Sequence, residues 1–455
     1  MPNIDLTAAP HTKSDLDSIL QSTQGHILEK HRRDHVWNVL LTFTPGSKVA
    51  SLIGGMPCTI PSAADLRNEG NAILHKLDAG EAPGVRTPVC FLGLTATGCR
   101  KIGADLARFS IPFKDGAQTR VRNLLGTNFL QWDTYWQGTR FDAILVCCAE
   151  CTRDLSALVD SLKHHFGDRA DMILEKGAVK RSQGVGARKG YAIEHFGFAD
   201  GISQPSLETD PPACQHHTSS RSQRPKYHSG YNPEALLNTV LIRDPLLPPD
   251  DCAFGSYMAY LKIEQHVDAF NQAAAKLGEK LPPPPGSELT PAAYGAACLM
   301  GRHRDGSPLI GGGHDDNDFS RELDPNGLSW PFYSHICKMN PRDGVNRTSF
   351  IRRGITYDDG AVKGLLFQSF QADLEFQFEL LASTWARDPN HPVAGSKEDV
   401  LLVMQPAQKG SAATTRWAPV DVSSIVTLRG GEYFYFPSIP AIEALGRKPA
   451  TSHPA

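Results

Sequence analysis

The sequence has no apolar run that approaches the length of a membrane span, and it has almost no excess of charge. Its longest apolar stretches, such as residues 143–148, are far shorter than the ~20 residues that cross a bilayer. The 46 Lys and Arg residues nearly balance the 49 Asp and Glu residues, which gives a formal charge of −3. This balance favours neither nucleic acid nor an anionic membrane, so we expect neither as a partner.

The beginning of the sequence also has none of the features of a secretory signal. Residues 1–6 (MPNIDL) carry no basic residue, and His11, Lys13 and Asp15 interrupt any apolar stretch behind them. We therefore expect a cytoplasmic protein, although secretion by an unconventional route would leave no mark in the sequence.

Cysteines are too few and too scattered to form a disulfide framework. Ten of them are spread over 455 residues. Cys148 and Cys151 form a CxxC pair beside Cys147, but no second pair follows at the spacing of a zinc site. Because free cysteines are commonly buried, we interpret this group as buried thiols at the end of a strand.

The chain is long enough for two domains, and its strands alternate with helices without a GxGxxG turn, which indicates an α+β fold. The pattern predicts strands at residues 36–43, 89–94, 142–148, 254–262 and 365–370, and helices at 63–78, 154–166, 267–277 and 376–385. Residues 423–428 and 433–437 are predicted to form a hairpin that turns at Gly430 and Gly431.

A polar segment separates the two halves of the chain. Residues 209–251 are rich in Pro, Ser, His and Arg and show little apolar periodicity. We therefore predict an N-terminal module at residues 1–205, an insertion or linker at 206–252, and a C-terminal module at 253–455.

The stretch GFADGISQP at residues 197–205 holds the most informative carboxylate of the chain. Asp200 lies among small, flexible residues, where an acid can point inward with little steric cover. Such a carboxylate could be the base that moves a proton of a peroxide substrate. An Asp between glycines often serves only as a turn residue, so this motif alone favours the structural role.

Two further motifs lie downstream, SHICKMNPR at residues 334–342 and IRRGITY at 351–357. His335 could be the axial ligand of a haem iron, although one histidine among 17 is more often structural or solvated. A guanidinium of Arg352 or Arg353 could stabilise negative charge on a departing oxygen, or the pair could simply be solvated. One carboxylate, one histidine and one arginine are what a peroxide-cleaving haem site needs.

In this order the three motifs resemble the GxxDG, proximal-histidine and RRGxxY motifs of the dye-decolourising (DyP-type) haem peroxidases. The resemblance spans most of the chain, and its length and insertions are similar to those of the long fungal-type branch. It implies an α+β fold of two ferredoxin-like modules with packed antiparallel sheets, of the dimeric α+β barrel type, with haem b in the C-terminal module.

The resemblance also implies roles for individual residues. Asp200 and Arg352 would be the catalytic pair, and His335 would be the axial ligand of the haem iron. Arg353 would point to the opposite side or contact a haem propionate. A carboxylate behind His335 is expected from residues 385–401, with Asp399 as our choice and Glu398 as the alternative, because the pattern cannot separate two adjacent acids.

The implied reaction reduces H2O2 through an oxo-ferryl haem intermediate and then oxidises dyes, phenols or similar small aromatic donors. Tyr357 and Trp385 are candidate sites that carry a radical to the surface, although most Tyr and Trp residues only pack. Activity is expected to be greatest at acidic pH, where an Asp with the usual pKa of ~3.9 remains a base.

Two other functions fit parts of the sequence. A haem-binding or haem-handling protein without significant turnover would need His335 but neither Asp200 nor Arg352. A non-haem metal protein that uses Cys147, Cys148 and Cys151 lacks the ligand spacing.

Overall fold

The computed structural model describes residues 4–82, 84–124, 131–138, 140–183, 190–202, 204–205, 207–209, 235–309, 324–327, 331–339, 348–396, 398–399, 401–402 and 425–447. The strands in these ranges are β1 His35–Phe43, β2 Val89–Leu94, β3 Ala143–Ala149, β4 Ala170–Ala178, β5 Ile242–Arg243, β6 Phe254–Gln265, β7 Ile351–Arg352, β8 Ile355–Asp358, β9 Lys363–Gln371 and β10 Val426–Phe436.

The α-helices are α1 Lys13–Ser22, α2 Gly25–Leu28, α3 Val49–Gly54, α4 Ala63–Asp78, α5 Ala96–Lys101, α6 Ile111–Asp115, α7 Ala117–Leu124, α8 Thr152–Phe166, α9 Val267–Lys280, α10 Pro291–Met300, α11 His335–Met339 and α12 Ile439–Arg447. A π-helix spans Leu374–Trp385, and 3₁₀ turns span Leu106–Arg108, Thr134–Trp136, Gly167–Arg169 and Leu237–Thr239.

The strands pair side by side in the order β5-β6-β10-β2-β3-β1-β4-β8-β9-β7, and β6 also pairs with β9. Eight strands therefore close into a barrel, to which β5 and β7 are added at β6 and β9. Every pairing between these strands is antiparallel. Closure leaves no free edge among the eight strands.

The barrel consists of two sheets with the same internal order. Strands β1 to β4 lie in the order β2-β3-β1-β4, and β6, β8, β9 and β10 lie in the corresponding order β8-β9-β6-β10. This is the strand arrangement of a ferredoxin-like module, so the predicted α+β class with two such modules is confirmed. Among the residues that the structure describes, the pairs Leu94–Tyr435 and Gly177–Tyr357 alone join the two sheets in the ladder.

The predicted strands and helices lie where their apolar patterns place them. Strand β1 is buried along almost its whole length, which explains its continuous apolar sequence. Helix α8 buries Leu155, Val159, Leu162 and Phe166 along one face. Residues 207–209 and 235–252 of the predicted linker are described and include β5, whereas 210–234 lie outside the described residues. The module boundaries stay predictions.

The predicted hairpin at Gly430 and Gly431 is wrong. Both glycines lie inside the continuous strand β10, with an irregularity between Leu428 and Gly430. A Cβ atom at Gly430 would lie 2.1 Å from Cδ1 of Trp136. Glycine is therefore needed here because the indole ring packs directly on the strand, and not because the chain turns.

The cysteine cluster is part of the core. Cys147 and Cys148 are fully buried in β3, and Cys151 is partly exposed just before α8. In the described part of the chain, no group of three His, Cys, Asp or Glu side chains could hold a metal ion. Among the same residues, no helix has both the length and the apolar character needed to cross a membrane.

Candidate active site

A cavity of about 310 Å³ lies against the sheet of the C-terminal half, within the size range of ligand sites. Alternate residues of two neighbouring strands form its floor, because side chains two positions apart share a face of a sheet. These residues are Leu261 and Ile263 of β6 and Leu365 and Phe367 of β9. Residues 194–202, Pro205, helix α11 and the π-helix form the other walls, and most of the lining side chains are apolar.

His335 borders this cavity from the first position of α11. Its Nδ1 lies 2.8 Å from Oδ2 of Asp399, which is fully buried. The other carboxylate oxygen of Asp399 accepts the backbone N–H of Leu401 at 2.7 Å. A carboxylate that is held in this way fixes the imidazole so that Nε2 carries the lone pair. No partner of Nε2 is recorded among the described residues.

The structure therefore distinguishes the two adjacent acids of the sequence. Asp399 contacts His335, whereas the neighbouring Glu398 is partly exposed and makes no recorded contact with that ring. Burial raises the pKa of Glu398 despite the charges of Arg387 and Lys338.

Lys338 ties α11 to the loop that leads to Asp399. Its fully buried ammonium group donates to the carbonyl oxygen of Asp388 at 2.6 Å and to that of His391. Burial lowers the pKa of Lys338 to about 8, against the raising effect of the nearby carboxylates. The sequence contains this lysine in the histidine motif, but its structural role becomes visible only when its carbonyl partners are known.

Asp200 enters the cavity on a turn between two glycines in the left-handed region, Gly197 at φ +92° and Gly201 at φ +76°. The backbone N–H of Gly201 donates to Oδ1 of Asp200 at 2.6 Å. Burial raises the pKa of Asp200, while this hydrogen bond and the charges of Arg352 and Lys30 oppose the rise. No partner of Oδ2 is recorded in the described ranges.

Arg352 borders the same cavity, and the side chain of Gln204 holds its backbone on both sides. The N–H of Arg352 donates to Oε1 of Gln204 at 2.9 Å, and Nε2 of Gln204 donates to the carbonyl oxygen of Arg352 at 3.3 Å. Nη2 of Arg352 also donates to the carbonyl oxygen of Ile202 at 2.5 Å. Burial lowers the pKa of this guanidinium, although the charge of Asp200 counteracts it.

Known proteins are similar to this chain in sequence. No family model matches the chain. The multifunctional dye peroxidase DyP2 of Amycolatopsis sp. is 29% identical over 490 residues, which cover 97% of this chain and 100% of that protein. The dye-decolorizing peroxidase AauDyP1 of Auricularia auricula-judae is 25% identical over 68% of this chain and 66% of its own length.

Solved structures of proteins of the same kind are similar to this chain in fold. The structure of DyP2 from Amycolatopsis sp. matches with a TM-score of 0.79 and 28% identity, over 97% of this chain and 98% of that chain. The chain is thus similar to DyP-type peroxidases over nearly its whole length, in sequence and in fold. A DyP-type peroxidase from Anabaena sp. matches with a TM-score of 0.78 and 25% identity, over 95% of this chain and 96% of its own. The matches do not separate the branches of the family, so the fungal-type branch stays a prediction.

Arg353 does not line the cavity. Its Nε donates to the carbonyl oxygen of His26 at 3.0 Å, and Nη2 donates to that of Ile27 at 3.3 Å. Consecutive residues of an extended segment point to opposite sides, so Arg352 and Arg353 diverge. Whether Arg353 contacts a haem propionate or only points to the opposite side stays a prediction.

The two candidate radical sites differ in exposure. Tyr357 is 2% exposed and lies under the ammonium group of Lys262, 5.0 Å from the ring centre. Trp385 is half-buried at the end of the π-helix and stacks on His391 at 4.5 Å. A bulky donor therefore has no direct access to Tyr357, whereas Trp385 is partly exposed. The radical role of each residue stays a prediction.

Polar residues that the sequence motifs did not indicate also border the cavity, namely Glu194, Arg302 and His303. Glu194 accepts the backbone N–H groups of Phe196 at 2.7 Å and Phe198 at 2.8 Å, and thereby stabilises the turn before Asp200. Burial raises the pKa of Glu194. In the sequence, the feature that could have pointed to Glu194 is its position six residues before Asp200.

Proposed function

We propose that this chain binds haem b in the cavity and uses H2O2 to oxidise small aromatic donors such as dyes and phenols. The observation that carries the proposal is the convergence on one cavity of a carboxylate-backed histidine and an Asp–Arg pair. His335 with Asp399 supplies the ligand, and Asp200 with Arg352 supplies the groups that act on peroxide.

The residues of the cavity fit haem. A neutral imidazole whose Nδ1 is held by a carboxylate and whose Nε2 has no recorded partner is a suitable axial ligand of iron. Apolar walls that include Phe367, Phe378 and Leu381 suit a largely apolar macrocycle. His335 would hold the iron with Asp399 behind it, and the side chains of Arg302 and Arg352 line the same cavity, where they would face propionates or oxygen. Bound haem supplies the redox chemistry of peroxide reduction and donor oxidation.

Asp200 is the group that moves the proton. Its Oδ1 is engaged by the N–H of Gly201 at 2.6 Å, so Oδ2 is the atom that would accept a proton from one peroxide oxygen and return it to the other. The same hydrogen bond fixes the orientation of the carboxylate before substrate arrives.

Arg352 is the group that stabilises negative charge. Cleavage of the O–O bond leaves charge on the departing oxygen, and a guanidinium beside it lowers the energy of that state. Gln204 and Ile202 hold the backbone and side chain of Arg352, so little reorganisation is needed during the reaction.

The pH dependence follows from the state of Asp200. Only the ionised carboxylate is a base, and burial raises its pKa above the usual 3.8. The rate of the peroxide reaction should therefore fall as the pH drops through this raised pKa, at higher pH than an exposed aspartate would allow. Activity at strongly acidic pH should thus be lower than we expect for an Asp200 with the usual pKa of an aspartate.

The test is to load the protein with haem, record its absorption spectrum, and measure peroxide-dependent bleaching of a dye. Wild type should bind haem and bleach the dye, whereas Asp200→Asn and Arg352→Leu should bind haem and bleach it slowly. Arg353→Leu, whose side chain lies outside the cavity, is the matched control and should retain activity in the folded protein. Haem binding with no peroxide turnover in wild type would favour a haem-handling protein instead.

A further inference from the structure

Three cysteine side chains outside the cavity form a group that the proposed reaction does not use. Cys90 of β2 and Cys147 of β3 are directly opposite each other, and their Sγ atoms are 3.7 Å apart. Cys58 lies beside Cys90, because the backbone N–H of Cys90 donates to the carbonyl oxygen of the next residue, Thr59, at 2.9 Å. Cys90 and Cys147 are fully buried, whereas Cys58 is partly exposed. We call these three residues the thiol cluster.

We propose that H2O2 converts the thiol cluster into a reversible disulfide between Cys90 and Cys147, with Cys58 as the residue that meets the oxidant. The inference goes beyond peroxidase activity, because the oxidant is H2O2 itself and no turnover at the cavity is required.

The spacing of the two strands suits this bond. Residues opposite each other on antiparallel strands have Cα atoms ~4.5–5.5 Å apart, and disulfides form between Cα atoms ~4.4–6.8 Å apart. Rotation of the two side chains can bring sulfurs from 3.7 Å to bonding distance without separating β2 from β3. Cys148 follows Cys147 in the strand and therefore points to the other face of the sheet.

The order of events follows from exposure. Burial and the neighbouring thiols of Cys147 and Cys58 raise the pKa of the Cys90 thiol well above its usual range. A protonated, buried thiol reacts slowly with peroxide, because the thiolate is the nucleophile. Cys58 is accessible and adjacent, so it is the member of the cluster that peroxide reaches first.

The chemistry balances in three steps. The Cys58 sulfur displaces water from H2O2 and becomes a sulfenic acid. The Cys90 sulfur then attacks it, which forms the Cys58–Cys90 disulfide and releases a second water. Finally the Cys147 sulfur attacks Cys90, which transfers the disulfide to Cys90–Cys147 and returns Cys58 to the thiol. One H2O2 is reduced to two waters, and two thiols lose two electrons and two protons.

The test uses the full, haem-loaded chain, treated with H2O2, freed of residual peroxide, alkylated, and digested without reductant. Mass spectrometry should find Cys90 and Cys147 in a linked peptide pair that dithiothreitol separates. Cys147→Ser should stop at the Cys58–Cys90 disulfide, and Cys58→Ser should slow the bond several-fold. Cys151→Ser, which removes another partly exposed thiol, should behave as wild type.

Two results would overturn the inference. In the first, both Cys90 and Cys147 of the peroxide-treated protein still react with the alkylating reagent after denaturation. In the second, the Cys90–Cys147 disulfide forms as fast in Cys58→Ser as in wild type. The same measurement on His335→Ala separates this inference from the proposed function. That variant should lose peroxidase activity and still form the disulfide, whereas a bond that requires His335 would contradict direct oxidation by H2O2.

Discussion

The two halves of the barrel share one strand order and differ in what their helices cover. In the N-terminal half, helix α8 lies between β3 and β4 in sequence and packs Leu155, Leu162 and other apolar residues into the core. In the C-terminal half, the π-helix takes the same place between β9 and β10, and its Phe378 and Leu381 line a cavity instead.

This difference shows that the ferredoxin-like fold by itself does not create the cavity. In the C-terminal half, His335 begins helix α11, before β7, and Asp399 follows the π-helix. Asp200 reaches the cavity from the segment that follows the N-terminal half. Equivalent sheets thus provide a closed core in one half and a reactive cavity in the other.

The strongest test of this difference removes one histidine from each half. His335→Ala should abolish the haem-type absorption spectrum after loading, because no other recorded imidazole at the cavity is backed by a carboxylate. His165 lies in α8 of the other half, and its Nε2 contacts the carbonyl oxygen of Leu52, away from the cavity. The variant His165→Ala should therefore leave the spectrum unchanged. An unchanged spectrum in His335→Ala would remove the basis of the comparison.

The next effect concerns the rate of the reaction with peroxide. Arg352→Leu should slow it about 10²–10³-fold at every accessible pH, which is typical for the loss of one charge-stabilising donor. Asp200→Asn should slow it about 10²–10⁴-fold, with partial recovery where buffer can accept the proton. Stopped-flow absorption spectroscopy measures both rates. Equal and pH-independent rates in the two variants would contradict their different roles.

A third pair compares stability with cofactor binding. Leu162→Ala should lower the free energy of unfolding by about 2–5 kcal/mol, because Leu162 is fully buried in the N-terminal half. Phe378→Ala removes part of a wall of the cavity. It should reduce the free energy of haem binding more than it reduces the free energy of unfolding of the apoprotein. Denaturant titration of the apoproteins and haem titration give the two quantities. The reverse pattern would mean that the cavity supports the fold rather than the cofactor.

The smallest expected effect is a displaced pH profile. Lys30 lies near the Asp200 turn, with Nζ 3.4 Å from the carbonyl oxygen of Gly201, and its charge lowers the pKa of Asp200. Lys30→Met should therefore raise that pKa and move the acid limb of the peroxide reaction to higher pH. Lys30→Arg keeps the charge and serves as the control. Burial lowers the pKa of Lys30 to about 7, so the influence should fade above neutrality.

Local patterns predicted the strands well, because burial on both sides leaves a continuous apolar sequence such as that of β1. The hairpin at Gly430 failed because the sequence does not show that Trp136, almost 300 positions earlier, packs on that glycine. Closure of the barrel depends on pairings such as β6 with β9 and β10 with β2, which no local pattern specifies.

The site shows the same limit. The three sequence motifs predicted that Asp200, His335 and Arg352 belong to one site, and all three side chains line the same cavity. The choice between Asp399 and Glu398 required the burial of one and the exposure of the other. The direction of Arg353 depended on its carbonyl partners in α2, far away in sequence.

The side chain of Gln204 has a consequence for redesign of this pocket. With one amide group it satisfies both backbone polar groups of Arg352, as a neighbouring strand would, four residues after Asp200. Gln204 therefore couples the position of the Asp200 turn to that of Arg352. A chimera that imports only one of the two segments, 197–205 or 351–353, from a relative should displace both proposed catalytic groups, so the two segments should be exchanged together.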